Sequence, residues 1–298
     1  MSKMRKGCDL CGSFSESVVN ERMFRNQMLR WRKFNVCSLI FQDAESYADA
    51  KEFMQSNEYL ESTCRGYADY LSISSEHCRR RQSFRLVEKI ARYCGLPSKA
   101  MEIGAATGTF VKALRENGVD CTGMDFSPVL VKAAKEMNGV DIVNNDFMDA
   151  ALPTEAYDAV FLFGTVGTVS SIKMLMEKIV RILKPSGLFV FNYMNYNHFS
   201  RKLLGKRYHR QTISSRYRLT GTTISRYLDA AGMRLLYDEP DYKWTTVGSL
   251  AGYLRSNLVA KIIAVLHIQW IPLMVPVPGG RIVFSQKALH SRNKCYCG

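Results

Sequence analysis

Between residues 99 and 193, short apolar runs alternate with amphipathic segments, and no other feature of the chain limits its fold as much. Such runs, separated by stretches of helical spacing, specify a parallel sheet covered by helices on both faces. The expected strands cover Ala100 to Ile103, Asp120 to Met124, Asp141 to Asn144, Ala159 to Phe163 and Leu188 to Tyr193. Helices are expected between them, including "GTFVKALRENG" and "IKMLMEKIVRILKPSG", the second stopped by Pro185 and Gly187. Three further zones surround this core of residues 99–193. Residues 1–43 are basic and hold Cys8, Cys11 and Cys37, while residues 44–98 read as a helical lead-in, clearest in "RLVEKIARYCGLP". Residues 194–298 read as a substrate-side segment with two last strands, "MRLLYDE" and "GRIVFSQKA", and a helical insertion between them.

The first strand-to-helix junction, "AMEIGAATGTF", carries Gly104, Ala106 and Gly108 in a G-x-A-x-G turn. Any tight turn can want glycine for its dihedrals, so the turn alone names no ligand. Acids at the neighbouring strand ends add the missing information. Asp125, followed by Phe126, closes the second strand, where a carboxylate can accept both hydroxyl protons of a ribose. That suits NAD and S-adenosylmethionine equally. Asp146 and Phe147 follow the third strand, where the acid can take an adenine N6 hydrogen and a backbone N–H can reach N1. Glu102 separates the two cofactors, because a carboxylate beside the turn repels a pyrophosphate and attracts a methionine ammonium and sulfonium. Phe163 and Gly164, at the end of the fourth strand, join this set of candidate cofactor-binding residues at the strand ends.

Taken together, "MEIGAATGTF", "GMDFSP", "NNDF", "YDAVFLF" and "ILKPSGLFVF" resemble the successive motifs of class I S-adenosylmethionine-dependent methyltransferases, over about residues 80 to 290. The resemblance implies an α/β, Rossmann-like sheet of seven strands with helices on both faces and an antiparallel last strand. It also implies that the cofactor lies across the carboxyl ends of the first strands. Within that superfamily the chain is most similar to bacterial sugar and polysaccharide methyltransferases that carry an N-terminal zinc-ribbon segment, whose halves "CDLCGS" and "VCSLIFQD" resemble. An acceptor that is a sugar or nucleotide-linked sugar hydroxyl, and a structural zinc on Cys8, Cys11 and Cys37, follow as implications. Two departures stand out. Phe34 occupies the position paired with Cys37, so three thiolates leave a tetrahedral site open, with Cys64, Cys78, Cys295 and Cys297 as available fourth ligands. In "FGTVGTV", Gly167 and Thr168 stand where the family often has an acid and a histidine, so the catalytic base is unassigned; Tyr193, His198 and His209 are the candidates.

An apolar fraction of 47% and a charged fraction of 23% belong to an ordinary globular protein. Forty-one Lys and Arg against 27 Asp and Glu give a net charge of +14, which favours anionic company. From Arg201 to Arg218 there are seven basic residues and no acid, with Tyr208 and Tyr217 interleaved. This run reads as a grip for a phosphorylated or acidic acceptor, with nucleic acid open as a partner. An RNA- or lipid-linked-substrate methyltransferase and a non-catalytic binding module are the rival functions. The N-terminus lacks the apolar run of a secretory signal, and nine cysteines fit reduced thiols, so a cytoplasmic location is expected. The apolar stretch Leu258 to Val277 is interrupted by Lys261, His267, Gln269, Pro272 and Pro276, short of a membrane-crossing helix. It reads as a cover for the pocket or a homodimer face, with peripheral membrane contact as the alternative.

Overall fold

The structure, a computed structural model, describes residues 7–24, 27–42, 56, 60, 70–204, 216–254, 263 and 265–289. Near the N-terminus, strands β1 (Glu16–Phe24) and β2 (Gln27–Phe34) pair antiparallel, and β3 (Ile40–Gln42) joins β2. Helix α1 (Ile73–Cys94) starts where Ser72 accepts the Ser75 N–H and stops at Gly95, whose φ of 73° suits glycine. Strand β4 (Lys99–Ile103), helix α2 (Thr109–Glu116), strand β5 (Asp120–Asp125), helix α3 (Pro128–Asn138) and strand β6 (Val143–Asn144) follow. Strand β7 (Tyr157–Leu162), helix α4 (Ile172–Ile182) and strand β8 (Leu183–Met194) complete the alternation. Helix α5 (Phe199–Leu204), strand β9 (Tyr217–Arg218) and helix α6 (Gly221–Ala230) lead to strand β10 (Met233–Thr246), helix α7 (Val247–Leu254) and strand β11 (Pro272–Lys287).

Seven strands form one sheet in the order β10-β11-β8-β7-β4-β5-β6, parallel except for β11, which runs antiparallel to both neighbours. This is the α/β architecture that the resemblance implies. Its central strands are buried on both faces, and alternate side chains enter separate cores, as the two-residue period of a strand requires. Met101, Val160, Leu162 and Phe191 pack with Leu175 and Ile179 of α4 and Leu228 of α6. Ala100, Phe161, Val190 and Phe284 pack with Leu86 and Ile90 of α1 and Val111 and Leu114 of α2. Strand β9 crosses to the N-terminal sheet, whose order is β1-β2-β3-β9.

Three element boundaries differ from the sequence expectation. Helix α4 ends at Ile182, ahead of Pro185, because Leu183 turns extended and enters β8 directly. Strand β6 keeps only Val143 and Asn144, the residues in register with Met124 and Asp125, while Asp141 stays exposed and pairs with Lys135 at 2.7 Å. Strands β10 and β11 are long, pairing from Met233 with Lys287 to Thr246 with Pro272, so α7 occupies the tip of a tall antiparallel ribbon. Of the prolines that interrupt the apolar stretch, Pro272 opens the strand and Pro276 stands beside a break in the ladder.

Candidate active site

The chain turns sharply after β4, and the N–H groups of Gly104 and Ala105 both donate to the Met124 carbonyl, at 2.8 and 3.0 Å. Gly104 has φ 72°, and a Cβ there would lie 2.6 Å from Thr165 Oγ1, so no larger residue fits. Ala106 also has a positive φ, 50°, which is costly for a residue with a Cβ. Its N–H donates to Asp125 Oδ2 at 2.9 Å, and the Ser127 N–H donates to Oδ1 at 2.9 Å. The turn and the buried end of β5 are thereby locked together.

Glu102, next to them, is 5% exposed, and its Oε2 accepts no hydrogen bond among the described residues. Burial first, and then the nearby charge of Asp125, push its carboxyl well above the usual carboxylate range. A buried oxygen without a partner at the wall of a cavity calls for a cation or a donor from a ligand.

Glu102, Gly104, Ala106, Asp125, Phe126, Asp146, Phe147, Phe163 and Gly164 all line one cavity of about 500 Å³. That size suits a small-molecule site. Gly108 stands behind it as the left-handed residue that starts α2, with Val140 3.2 Å from where a Cβ would sit. The end of β6 is fastened to β5, since Asn144 Nδ2 and the Asn145 N–H both donate to the Asp125 carbonyl, at 3.0 and 3.1 Å. Asp146 is set by its own turn, Oδ1 accepting the Met148 N–H at 2.9 Å.

Sequence reasoning missed Glu76 on α1. Arg79 binds it at 2.6 Å, Thr109 Oγ1 donates to it at 2.8 Å, and Asn138 Nδ2 donates to it at 3.0 Å. One buried carboxylate therefore ties α1 to the glycine turn and to the end of α3. Burial raises the Glu76 pKa, but the Arg79 charge and these donors outweigh it and hold the group below the usual carboxylate value. The only sequence signal was an acid and an arginine three residues apart on a helix.

A family model described as a methyltransferase domain matches residues 75–237. The chain belongs to that family. A matching segment of the sterol 24-C-methyltransferase of Gibberella zeae is 29% identical over 99 residues, 32% of this methyltransferase chain and 24% of the relative. A demethylmenaquinone methyltransferase of Tropheryma whipplei is 26% identical over 98 residues, 31% and 40% of the two chains. The matched segments thus span less than half the length of these relatives. Among solved structures, a Galdieria sulphuraria protein assigned as a sarcosine dimethylglycine methyltransferase has a TM-score of 0.52, with 15% identity. Its alignment covers 81% of this chain and 99% of that one, a likeness of fold alone. S-adenosylmethionine, the cofactor of such methyltransferases, fits the residues present. It is cationic at sulfur and nitrogen, and the unmet oxygen of Glu102 and the acids at the ends of β5 and β6 complement it.

The base candidates fare differently. Tyr193 lines the cavity, but its hydroxyl donates to Asp238 Oδ2 at 3.3 Å. Burial and the Asp238 charge push the phenol far above its usual range, which counts against it as a base. His198 sits at the start of α5, where Nδ1 accepts the Ser200 N–H at 3.3 Å, and it is not among the described residues that line the cavity. His209 lies outside the described residues, as do Cys64, Cys295 and Cys297.

The sulfurs of Cys8, Cys11 and Cys37 lie within 4.8 Å of one another, and those of Cys8 and Cys37 are 3.4 Å apart. Burial pushes the Cys8 thiol up to about 12. Cys78 packs elsewhere, with Leu60, Tyr70 and Leu130, and does not join the three. Asp9, inside the same loop, accepts the Ile172 and Lys173 N–H groups at the start of α4, at 2.8 and 3.0 Å.

Proposed function

We propose that this chain transfers a methyl group from S-adenosylmethionine to a small protic acceptor held in the cavity over the ends of β7 and β8. The observation that carries the reading is the unpartnered Glu102 oxygen, buried at the cavity wall beside Asp125. When bound, S-adenosylmethionine supplies a methyl group already activated on a sulfonium. Glu102 would pair with the positive charge of the methionine end, and Asp125 would accept the ribose hydroxyls beside the turn it braces. Asp146 and Phe147 would hold the adenine. Phe163 and Gly164, past the end of β7, would border the transferred methyl. Methyl transfer is an in-line displacement, so the chain's main work is alignment.

The sugar hydroxyl implied by the resemblance remains one acceptor of the right size, supported by the polar wall that Asn192, Thr165 and Thr168 supply. A phosphorylated or acidic acceptor is less well matched. Among the described residues, the charged lining consists of Glu102, Asp125, Asp146 and Asp241 against Arg79 and Lys243, and Arg79 is bound to Glu76. Arg201 and Arg218, at the ends of the basic run, stack on Tyr196 and Trp31, at 4.1 and 4.3 Å. We further propose that the three clustered thiols hold a structural zinc ion in the N-terminal sheet.

Calorimetric titration of the full chain with S-adenosylmethionine and S-adenosylhomocysteine tests the central reading. Saturable binding of both is expected; absence of binding by either sinks it.

A further inference from the structure

Among the described residues, three of the four cavity carboxylates lie on or beside β4, β5 and β6, the strands to which the cofactor is assigned. The fourth, Asp241, stands on the other flank of the sheet, on β10, beyond β7, β8 and β11. We propose that Asp241 accepts the acceptor's proton and that the acceptor is a small amine which enters as its ammonium; this rests on the methyltransferase reading above.

The backbone is built to present this residue. The ladder between β10 and β11 runs unbroken from Pro240 with Arg281 to Met233 with Lys287, apart from one shift near Tyr237, and resumes at Tyr242 with Pro276. Asp241 alone therefore faces the four residues 277–280, of which Val277 and Gly280 line the cavity. A bulge of this kind re-aims a side chain. Although Asp241 borders the cavity, it is only 8% exposed.

Two donors hold the carboxylate, Asn192 Nδ2 to Oδ2 at 3.1 Å and the Tyr242 N–H to Oδ1 at 2.9 Å. The Asn192 Oδ1 in turn accepts the Gly164 N–H at 2.6 Å. Both ends of the amide are thus committed, and Asp241 is fixed relative to the residue that borders the transferred methyl. Arg85 and Lys89 face it from α1, but Arg85 stacks over Tyr242 and Lys89 pairs with Glu239. On β11, Arg281 is bound to Asp238. Burial outweighs these influences and raises the Asp241 carboxyl above its ordinary value.

The amine follows from charge. Among the described residues the lining sets four carboxylates against two cations, Lys243 two residues along β10 and Arg79, which is bound to Glu76. An ionised Asp241 buried there gains from a further cation, and an ammonium supplies one. In the reaction, the ammonium passes a proton to the Asp241 carboxylate and becomes a neutral amine. The nitrogen lone pair then forms the new N–C bond as the methyl carbon–sulfur bond breaks, its electron pair staying on sulfur as a neutral thioether. The methylated product leaves as an ammonium, and Asp241 returns its proton to water.

The full chain saturated with S-adenosylhomocysteine is titrated with a panel of small primary and secondary amines and, separately, with polyols. Amines should bind, and Asp241→Asn should weaken them at least about tenfold while cofactor affinity stays within about threefold. With an amine that binds, Asp241→Asn should lower kcat about 100-fold or more and remove the acidic limb of the pH–rate profile. Asp241→Glu should restore part of that rate. Thermal melts check folding, and Asn192→Leu, which leaves the carboxylate in place, should lower kcat with amine affinity kept. Binding of polyols and of no amine overturns the amine assignment. A near-normal rate in Asp241→Asn, or a loss of S-adenosylmethionine affinity as large as in Glu102→Gln, overturns the role of Asp241. If the wild-type chain binds neither cofactor form, the methyltransferase reading itself has failed.

Discussion

Glu102 is held at a cost to the fold. Its carboxyl is pushed well above the usual carboxylate range by burial and by the neighbouring Asp125 charge, which outweigh a backbone hydrogen bond from Val111, and its Oε2 has no partner among the described residues. The sign follows directly: the residue's contribution to stability is fully present below the ordinary carboxylate pKa and is lost as pH rises toward its elevated folded value. Glu102→Gln should therefore raise the melting temperature of the unliganded protein at neutral pH by roughly 2–4 °C. The same substitution should weaken S-adenosylmethionine binding about tenfold or more, and S-adenosylhomocysteine, which lacks the sulfonium charge, by less. A variant that loses stability and keeps affinity would contradict this assignment. Glu102, Asp125 and Asp146 were legible in the sequence because each follows from its place at the end of a strand. Asp241 was not, because its exposure to the cavity depends on a ladder that breaks between residues distant in sequence.

At the scale of elements, the glycine turn is braced by helix α1 through Glu76. Glu76→Gln leaves Arg79 buried without its ion partner and should cost about 3–5 kcal/mol in denaturant unfolding. Since Glu76 titrates below its ordinary value, its contribution is present above the ordinary carboxylate pKa and disappears as pH falls through the folded one. The gap between wild type and variant should accordingly close in acid. Nothing local in "SSEHCRRRQSF" marks Glu76, whose partners Thr109 and Asn138 come from two other elements. The three-thiol loop makes a second connection, since Asp9 caps α4 from between Cys8 and Cys11. Zinc analysis of the isolated chain should find up to one ion, lost in Cys37→Ser together with several degrees of melting temperature. Retention of zinc by that variant would remove the thiol cluster as its site.

For the whole molecule, a parallel sheet covered by helices was readable because alternating short strands and helices permit few topologies, while its seven strands and antiparallel last strand came from the family resemblance. Other features emerged only in three dimensions. Strand β9 has two residues, too few for any periodicity, yet it carries Tyr217 from the N-terminal sheet to the cavity wall. The long β10–β11 ribbon was hidden by its prolines. No helix among the described residues is long and apolar enough to cross a membrane.

The central claim is that a buried Glu102, its carboxyl held above the usual carboxylate range, meets a cationic ligand, and proton release on binding measures it most directly. S-adenosylmethionine is titrated calorimetrically in buffers of differing ionisation enthalpy, across the weakly acidic to neutral range. Wild type should release protons on binding, and Glu102→Gln should release markedly fewer. Equal proton release by the two proteins, or no binding of S-adenosylmethionine to the wild type, would contradict it.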